Sequence, residues 1–130
     1  MTNGQRIIAV ACLAEAGTGL GLIAAPWLVV GLLMGVQPEG VAIVISRVAG
    51  IALIALAIAC WPGPSGRENA KPYLAMLVYN ALVALVLAKV GLDAEMSGFL
   101  LWPVAILHIL LSVLLAWAWS RLKRTSGTAE

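Results

Sequence analysis

The sequence predicts an all-α integral membrane protein whose four helices form an antiparallel bundle. Three observations lead to this prediction: the composition, four long apolar stretches, and turn-forming breaks between them. Of the 130 residues, 62% are hydrophobic and only 11% are charged. A soluble domain carries roughly 25% charged residues, and a chain of this size cannot hide so much apolar surface from water. Lipid is therefore the expected solvent of these side chains.

The four apolar stretches cover residues 7–33, 41–61, 72–90 and 98–119. Each is long enough to cross a hydrocarbon layer of ~30 Å as a helix of ~20 residues. Helices are predicted because backbone groups cannot stay unpaired in lipid and the sequence shows no strand-like alternation. The first stretch exceeds one crossing, so we expect a break near Pro26, followed by a short interfacial or tilted segment.

The breaks between the stretches are short and contain residues that end helices. Pro38 and Gly40 lie in the first break, and Pro62, Gly63 and Pro64 begin the second. Proline in a helix interior removes a hydrogen bond and clashes with the preceding turn. Short connections force neighbouring helices to run antiparallel, which is typical of an up-down-up-down bundle. The chain is thus expected to form a single membrane domain over residues 1–130.

Basic residues concentrate at one end of the expected bundle. Six of them fall on the side of both termini: Arg6, Arg67, Lys71, Arg121, Lys123 and Arg124. Lys89 is the one basic residue near the other side within the same four-span arrangement. Because basic loops stay in the cytoplasm, this bias predicts a multi-pass inner-membrane protein with both termini cytoplasmic. Residues 120–130 would then form a cytoplasmic tail.

Four polar side chains interrupt the apolar spans and are the candidate functional residues: Glu15, Arg47, Asn80 and His108. A charge at the centre of a membrane helix costs roughly 2.5–3.5 kcal/mol on insertion scales, so such groups are expected to face one another. A rise of ~1.5 Å per residue puts Glu15, Asn80 and His108 at similar depths. Arg47 would lie about one side-chain length above them.

Two interpretations of this polar network remain open. In the structural one, Glu15 pairs with Arg47 and holds the bundle in register. Asn80 and His108 then satisfy the remaining polar groups, and Ser112 orients the imidazole, with Tyr79 and Thr18 nearby. In the functional one, Glu15 binds and releases protons inside the bundle, and His108 relays them.

Small residues indicate where helices approach closely. Gly17 and Gly21 continue a small-xxx-small stripe that begins at Ala14 on the first helix. Ser46 and Gly50 form a similar pair on the second span. Such stripes let backbones come into contact in lipid. We expect Gly17, Gly21 and Gly50 to pack against helices of the same bundle, with a homodimer or an unknown membrane partner as the alternative.

Several chemistries are not expected. A single histidine excludes a bis-His haem within one chain, and the isolated Cys12 and Cys60 form no Cys-x-x-Cys pair. No cluster of His, Asp or Glu has the spacing of metal ligands. The net charge of +2 is too small for a nucleic-acid footprint. We therefore predict no catalytic, cofactor-binding or metal-binding residues, no enzymatic activity and no nucleic-acid partner.

Two resemblances follow from these residues. Arg6, Glu15 and Pro26 in the first stretch, with Arg47-x-x-Gly50 in the second, give a layout similar to the DoxX-like group of small bacterial four-helix membrane proteins. That resemblance implies an accessory membrane subunit, so a non-catalytic accessory or scaffolding subunit is the first prediction of function.

The second resemblance is local and lies in the first helix. The run Leu13-Ala14-Glu15-Ala16-Gly17-Thr18 looks like the first-helix motif of the small multidrug resistance transporters, with one residue fewer between Glu and Gly-Thr. In that family a membrane-embedded Glu exchanges protons for cationic drugs. The resemblance implies the same role for Glu15, whereas Arg47 would repel a cationic substrate. A proton-coupled small-molecule transporter is therefore the alternative prediction.

Overall fold

The computed structural model describes residues 1–63, 69–93 and 96–126. Within these residues the fold is all-α, as predicted, and contains no strand. The helices are α1 (Asn3–Ala24), α2 (Pro26–Met34), α3 (Val41–Cys60), α4 (Ala70–Asp93) and α5 (Leu101–Ser126). All except α2 contain a stretch long and apolar enough to cross a bilayer, so the protein spans the membrane four times.

The first apolar stretch divides at Ala25 into α1 and α2. The amide of Ala25 donates to the carbonyl of Gly21 and closes the last turn of α1. Pro26 then occupies the first turn of α2, where its missing N–H leaves no donor unsatisfied and its fixed φ suits a new helix. α2 ends at Gly35, whose φ of 72° is the left-handed conformation that glycine adopts most easily.

The four spanning helices pack as two antiparallel pairs. α1 lies mainly against α3, and α4 lies mainly against α5. The two pairs meet chiefly through α1 and α5, whereas α3 and α4 scarcely touch. One buried apolar cluster fills the end near the chain termini and includes Ile8, Met76 and Leu115. The bundle is therefore closed on the α1–α5 side and open between α3 and α4.

A pair of glycines sets the distance between α1 and α3. A Cβ atom on Gly50 would lie 2.5 Å from the carbonyl oxygen of Gly19, and one on Gly19 would lie 2.6 Å from that of Gly50. Gly21 contacts Val29 of α2. Gly17 is different, because a Cβ atom added there would have no atom of the described residues within 4 Å. The helix turns roughly 200° between Gly17 and Gly19, so only Gly19 faces α3.

The first part of the predicted tail is helical. Residues 120–126 continue α5 as far as Ser126. Two cations of this last part lie over indole rings: Arg121 is 4.8 Å from the Trp117 ring centroid, and Lys123 is 4.3 Å from that of Trp119. Such cation–π contacts give the polar end of the helix a defined anchor. Arg67, which contributed to the predicted charge bias, lies outside the described residues.

Candidate functional site

Three of the four polar residues singled out in the sequence converge inside the bundle. Glu15 of α1, Asn80 of α4 and His108 of α5 have exposed fractions of 1%, 0% and 9%. Each comes from a different helix, and together they occupy the junction where the two helix pairs meet. Polar side chains buried in lipid are stable only when they satisfy one another, so this cluster is the candidate site.

The Asn80 amide fixes the protonation pattern of the histidine. Its Nδ2 donates to the backbone carbonyl of Met76 at 2.9 Å, one helical turn earlier. Since a carbonyl can only accept, the amide nitrogen must lie there and Oδ1 faces His108. The distance from Oδ1 to His108 Nδ1 is 2.8 Å, so Nδ1 carries the hydrogen. In the neutral imidazole, Nε2 is then an acceptor.

Glu15 lies against the same histidine but is not satisfied by it. Its Oε1 is 3.9 Å from His108 Nδ1, which is an ion-pair contact rather than a hydrogen bond. This oxygen is fully buried and has no hydrogen-bond partner among the described residues. The Tyr79 hydroxyl interacts with the Glu15 carboxyl group. Tyr79 also places its ring edge-on to the imidazole, with the centroids 6.1 Å apart.

Arg47 is not part of this cluster. It is exposed on α3 and forms no ion pair with any residue in the described part of the chain. The predicted Glu15–Arg47 pair is therefore absent there. The physical reason lies in how α3 packs: none of residues 41–49 is buried, and the first buried residue of α3 is Gly50, which lies against Gly19 of α1. Arg47 thus precedes the part of α3 that enters the bundle.

The Thr18 and Ser112 hydroxyl groups near the cluster donate to backbone carbonyls of their own helices. Ser112 Oγ donates to the carbonyl of His108 at 2.7 Å, so it does not orient the imidazole as expected. Thr18 Oγ1 donates to the carbonyl of Ala14 at 2.9 Å. Both bonds reach back one helical turn, a common local solution for hydroxyl side chains within helices. The asparagine, rather than a serine, is the residue that positions the histidine.

An apolar cavity of about 650 Å³ adjoins the polar cluster. Its volume falls within the roughly 300–1,000 Å³ typical of small-molecule sites. Aliphatic side chains from all five helices form most of the wall, among them Leu22, Val29, Leu53, Val83 and Val104. Thr18, Tyr79 and His108 are the polar side chains of this wall. This space could not be predicted from the sequence, because it results from the gap between α3 and α4.

Tyr79 and His108 connect the cavity to the buried carboxyl group. Both line the cavity, and both interact with Glu15, which is not itself part of the wall. Among the described residues, no three His, Cys, Asp or Glu side chains could hold a metal ion together. The arrangement therefore offers proton transfer and hydrogen bonding beside an apolar space.

No family model, curated protein or solved structure matches this chain. The geometry of the chain itself is therefore the basis for any statement about its function. The chain is a small, helical, multi-span membrane protein with a buried Glu15–His108 pair beside an apolar cavity.

Proposed function

We propose that this protein is a non-enzymatic, proton-coupled carrier of small, mainly apolar molecules, with the Glu15–His108 pair as its proton site. One observation carries the proposal: a buried carboxyl oxygen without a hydrogen-bond partner lies 3.9 Å from a nitrogen of the histidine that lines the cavity. An unsatisfied buried polar atom is rare in folded proteins and costs roughly 1–3 kcal/mol. Retaining it is reasonable where the group must gain and lose a proton.

The chemistry of coupling needs only these side chains. When Nε2 also holds a proton, the imidazolium can pass its Nδ1 hydrogen to the Glu15 carboxylate, which leaves a neutral imidazole with its hydrogen on Nε2. The 3.9 Å distance between Nδ1 and Oε1 must shorten for this transfer. A molecule in the cavity contacts His108 and Tyr79 and changes their surroundings. If its binding alters proton affinity, proton binding alters its affinity by the same factor, because the coupling is reciprocal. This is the minimum that a proton-coupled carrier requires.

The same proposal includes an orientation in the membrane. The antiparallel helices bring the start of α1, the start of α4 and the end of α5 to one end of the bundle, with Arg6, Lys71 and Arg124. Lys89 near the other end pairs with Asp93 at 2.6 Å. The excess of basic residues at the first end supports cytoplasmic termini in a bacterial inner membrane. Membership of the DoxX-like group is part of this proposal and is supported by the sequence layout.

The first test is proton movement in vesicles. Protein reconstituted with an entrapped pH-sensitive dye is exposed to a pH gradient and to a set of apolar alcohols and amines. We expect compound-dependent proton flux that Glu15→Gln abolishes, because the amide cannot exchange a proton. Glu39→Gln is the matched control, since Glu39 is an exposed residue outside the spanning helices. Equal fluxes in Glu15→Gln and the wild type would contradict the proposal.

A second candidate function, that of an accessory or scaffolding subunit, is favoured by Arg47. This side chain is exposed within a span in which every other residue is uncharged. A lone charge in the hydrocarbon is costly unless it reaches the interface or meets an opposite charge. A carboxylate on a neighbouring membrane chain is the partner that this chemistry requires.

Arg47 gives the accessory role its own prediction. Purification in mild detergent followed by mass analysis of the intact assembly is expected to reveal a partner chain with the wild type. Arg47→Leu is expected to release that partner, whereas Arg6→Leu, at the exposed start of α1, is expected to retain it. Assemblies of identical mass for the wild type and Arg47→Leu would count against the accessory role. The carrier role requires neither result.

A further inference from the structure

The cavity can be reached from the lipid. Its wall includes Ala49 and Ala52 of α3, which are exposed, and Val83 of α4 on the opposite side. Among the described residues, α3 and α4 share the buried cluster near the termini but make few other contacts, so no packed α3–α4 interface covers the cavity beside Ala49, Ala52 and Val83. A molecule dissolved in the bilayer therefore needs no passage through water to enter.

The hydrogen-bond donors of the cavity wall are already engaged. Thr18 donates to the Ala14 carbonyl, and the Tyr79 hydroxyl interacts with the Glu15 carboxyl group. The hydrogen on His108 Nδ1 faces Asn80. The wall thus has no side-chain donor left among these three residues for a molecule in the cavity.

One ring-nitrogen acceptor lies in the wall. His108 is 9% exposed, and its Nε2 has no hydrogen-bond partner among the described residues. Because Asn80 holds the hydrogen on Nδ1, Nε2 presents a lone pair in the neutral imidazole. An acceptor without a donor in an otherwise apolar wall selects for a ligand that supplies one, since the unmade hydrogen bond costs free energy.

We propose that the cavity binds a membrane-dissolved small molecule that has an apolar body and an uncharged hydroxyl end, with the hydroxyl donating to Nε2 of His108. The hydroxyl matches the Nε2 acceptor, and the aliphatic wall matches the body. An uncharged donor suits this site better than a cation, because an ammonium group would have to lose its hydration with no carboxylate in the cavity wall. This inference rests on the proposed function, for which it names the substrate class.

The single histidine makes the test direct. Protein labelled with ¹⁵N-histidine in lipid nanodiscs gives the imidazole signals of His108 alone. The probes are 1-dodecanol and dodecyl methyl ether, which share an apolar chain but differ in the hydroxyl donor. We expect the Nε2 resonance to shift and saturate with the alcohol and to stay in place with the ether. Equal shifts with both probes, or none with either, would overturn the proposal, including the case in which a lipid acyl chain fills the cavity.

Matched variants locate the binding. Val83→Trp fills the cavity from α4, and Val104→Phe fills it from α5 if the first variant folds poorly. Val86→Trp is the control, because Val86 lies on the exposed face of α4 with 59% of its surface accessible. The alcohol-dependent shift is expected to disappear in the cavity variants and to persist in the control. A shift that survives both cavity variants would place the alcohol elsewhere and overturn the proposal.

Failure of this inference can be told apart from failure of the proposed function. Alcohol binding without any Glu15-dependent proton flux would leave the ligand assignment intact and remove the carrier. Glu15-dependent flux driven equally well by compounds that lack a hydroxyl group would leave the carrier intact and remove the ligand assignment. The two experiments use the same full-length chain, so their outcomes can be compared directly.

Discussion

Gly50→Ala is expected to separate α1 from α3 and to cause one of the largest losses of stability of any single methyl group added to this protein. The new Cβ would lie 2.5 Å from the Gly19 carbonyl oxygen and 3.0 Å from atoms of Leu22 and Ile23. The first of these is a backbone atom, so the helices themselves must move apart. Overpacking typically costs roughly 1–3 kcal/mol, and we expect a loss at the upper end of that range.

Gly17→Ala is the matched control for this prediction. It adds the same methyl group to α1, where no atom lies within 4 Å. Alanine favours a helix over glycine by roughly 0.8–1.0 kcal/mol, so this variant is expected to be neutral or slightly stabilised. Thermal unfolding in detergent, followed by helical circular dichroism, measures both variants. If the two variants unfolded at the same temperature, the close Gly19–Gly50 contact would not be important for stability.

The spans of this fold could be predicted from the sequence because the bilayer imposes them. Lipid requires about 20 apolar residues per crossing and tolerates breaks only at residues such as those around Pro26. Which face of each helix packs inward was harder to predict from the sequence. Gly17 and Gly19 both lie in the same glycine-rich run, and only the position of α3 decides that Gly19 is the contact. In lipid, hydrophobicity does not separate the packed face of a helix from the exposed one.

The candidate site could be predicted in part for the same reason. Glu15, Asn80 and His108 were identified because a polar side chain in hydrocarbon must find a partner, and the structure brings these three together. Arg47 was expected in the same cluster, because its polarity is visible in the sequence and its position in the packed bundle is not. Arg47 is excluded by the packing of α3, which becomes buried only from Gly50 onward. The cavity could not be predicted, because it depends on how all five helices pack and not on any one residue.

The cluster lies at the junction between the two helix pairs. α1 and α3 form one pair, α4 and α5 form the other, and the side chains of Glu15, Asn80 and His108 lie between them. A movement of one pair relative to the other would change the 3.9 Å distance between Glu15 and His108. It would also widen or narrow the gap between α3 and α4 that leads to the cavity. In the proposed carrier, such a movement would link protonation to access through one junction.

Gly98→Ala is the second substitution for which we expect a large effect, because α2 is held to the start of α5 by backbone atoms. The amides of Gly98 and Leu100 donate to the carbonyls of Leu33 and Leu32 at 3.0 and 2.9 Å. A Cβ on Gly98 would collide with the Leu32 carbonyl oxygen and lie 2.6 Å from the Leu33 carbonyl carbon. Both hydrogen bonds, worth about 1 kcal/mol each, are expected to break.

The consequence for the site is more specific than a loss of stability. α2 contributes Val29, Leu32 and Leu33 to the cavity wall, so releasing it removes one wall while Glu15, Asn80 and His108 stay in place. Hydrogen–deuterium exchange is expected to rise at the amides of Gly98 and Leu100 in Gly98→Ala and to stay unchanged in Gly63→Ala, where a Cβ meets no atom within 4 Å. The ¹⁵N signals of His108 are expected to keep the Nδ1-protonated pattern while losing their response to 1-dodecanol. Unchanged exchange at both amides, or an unchanged response to the alcohol, would show that α2 is not the wall that completes the cavity.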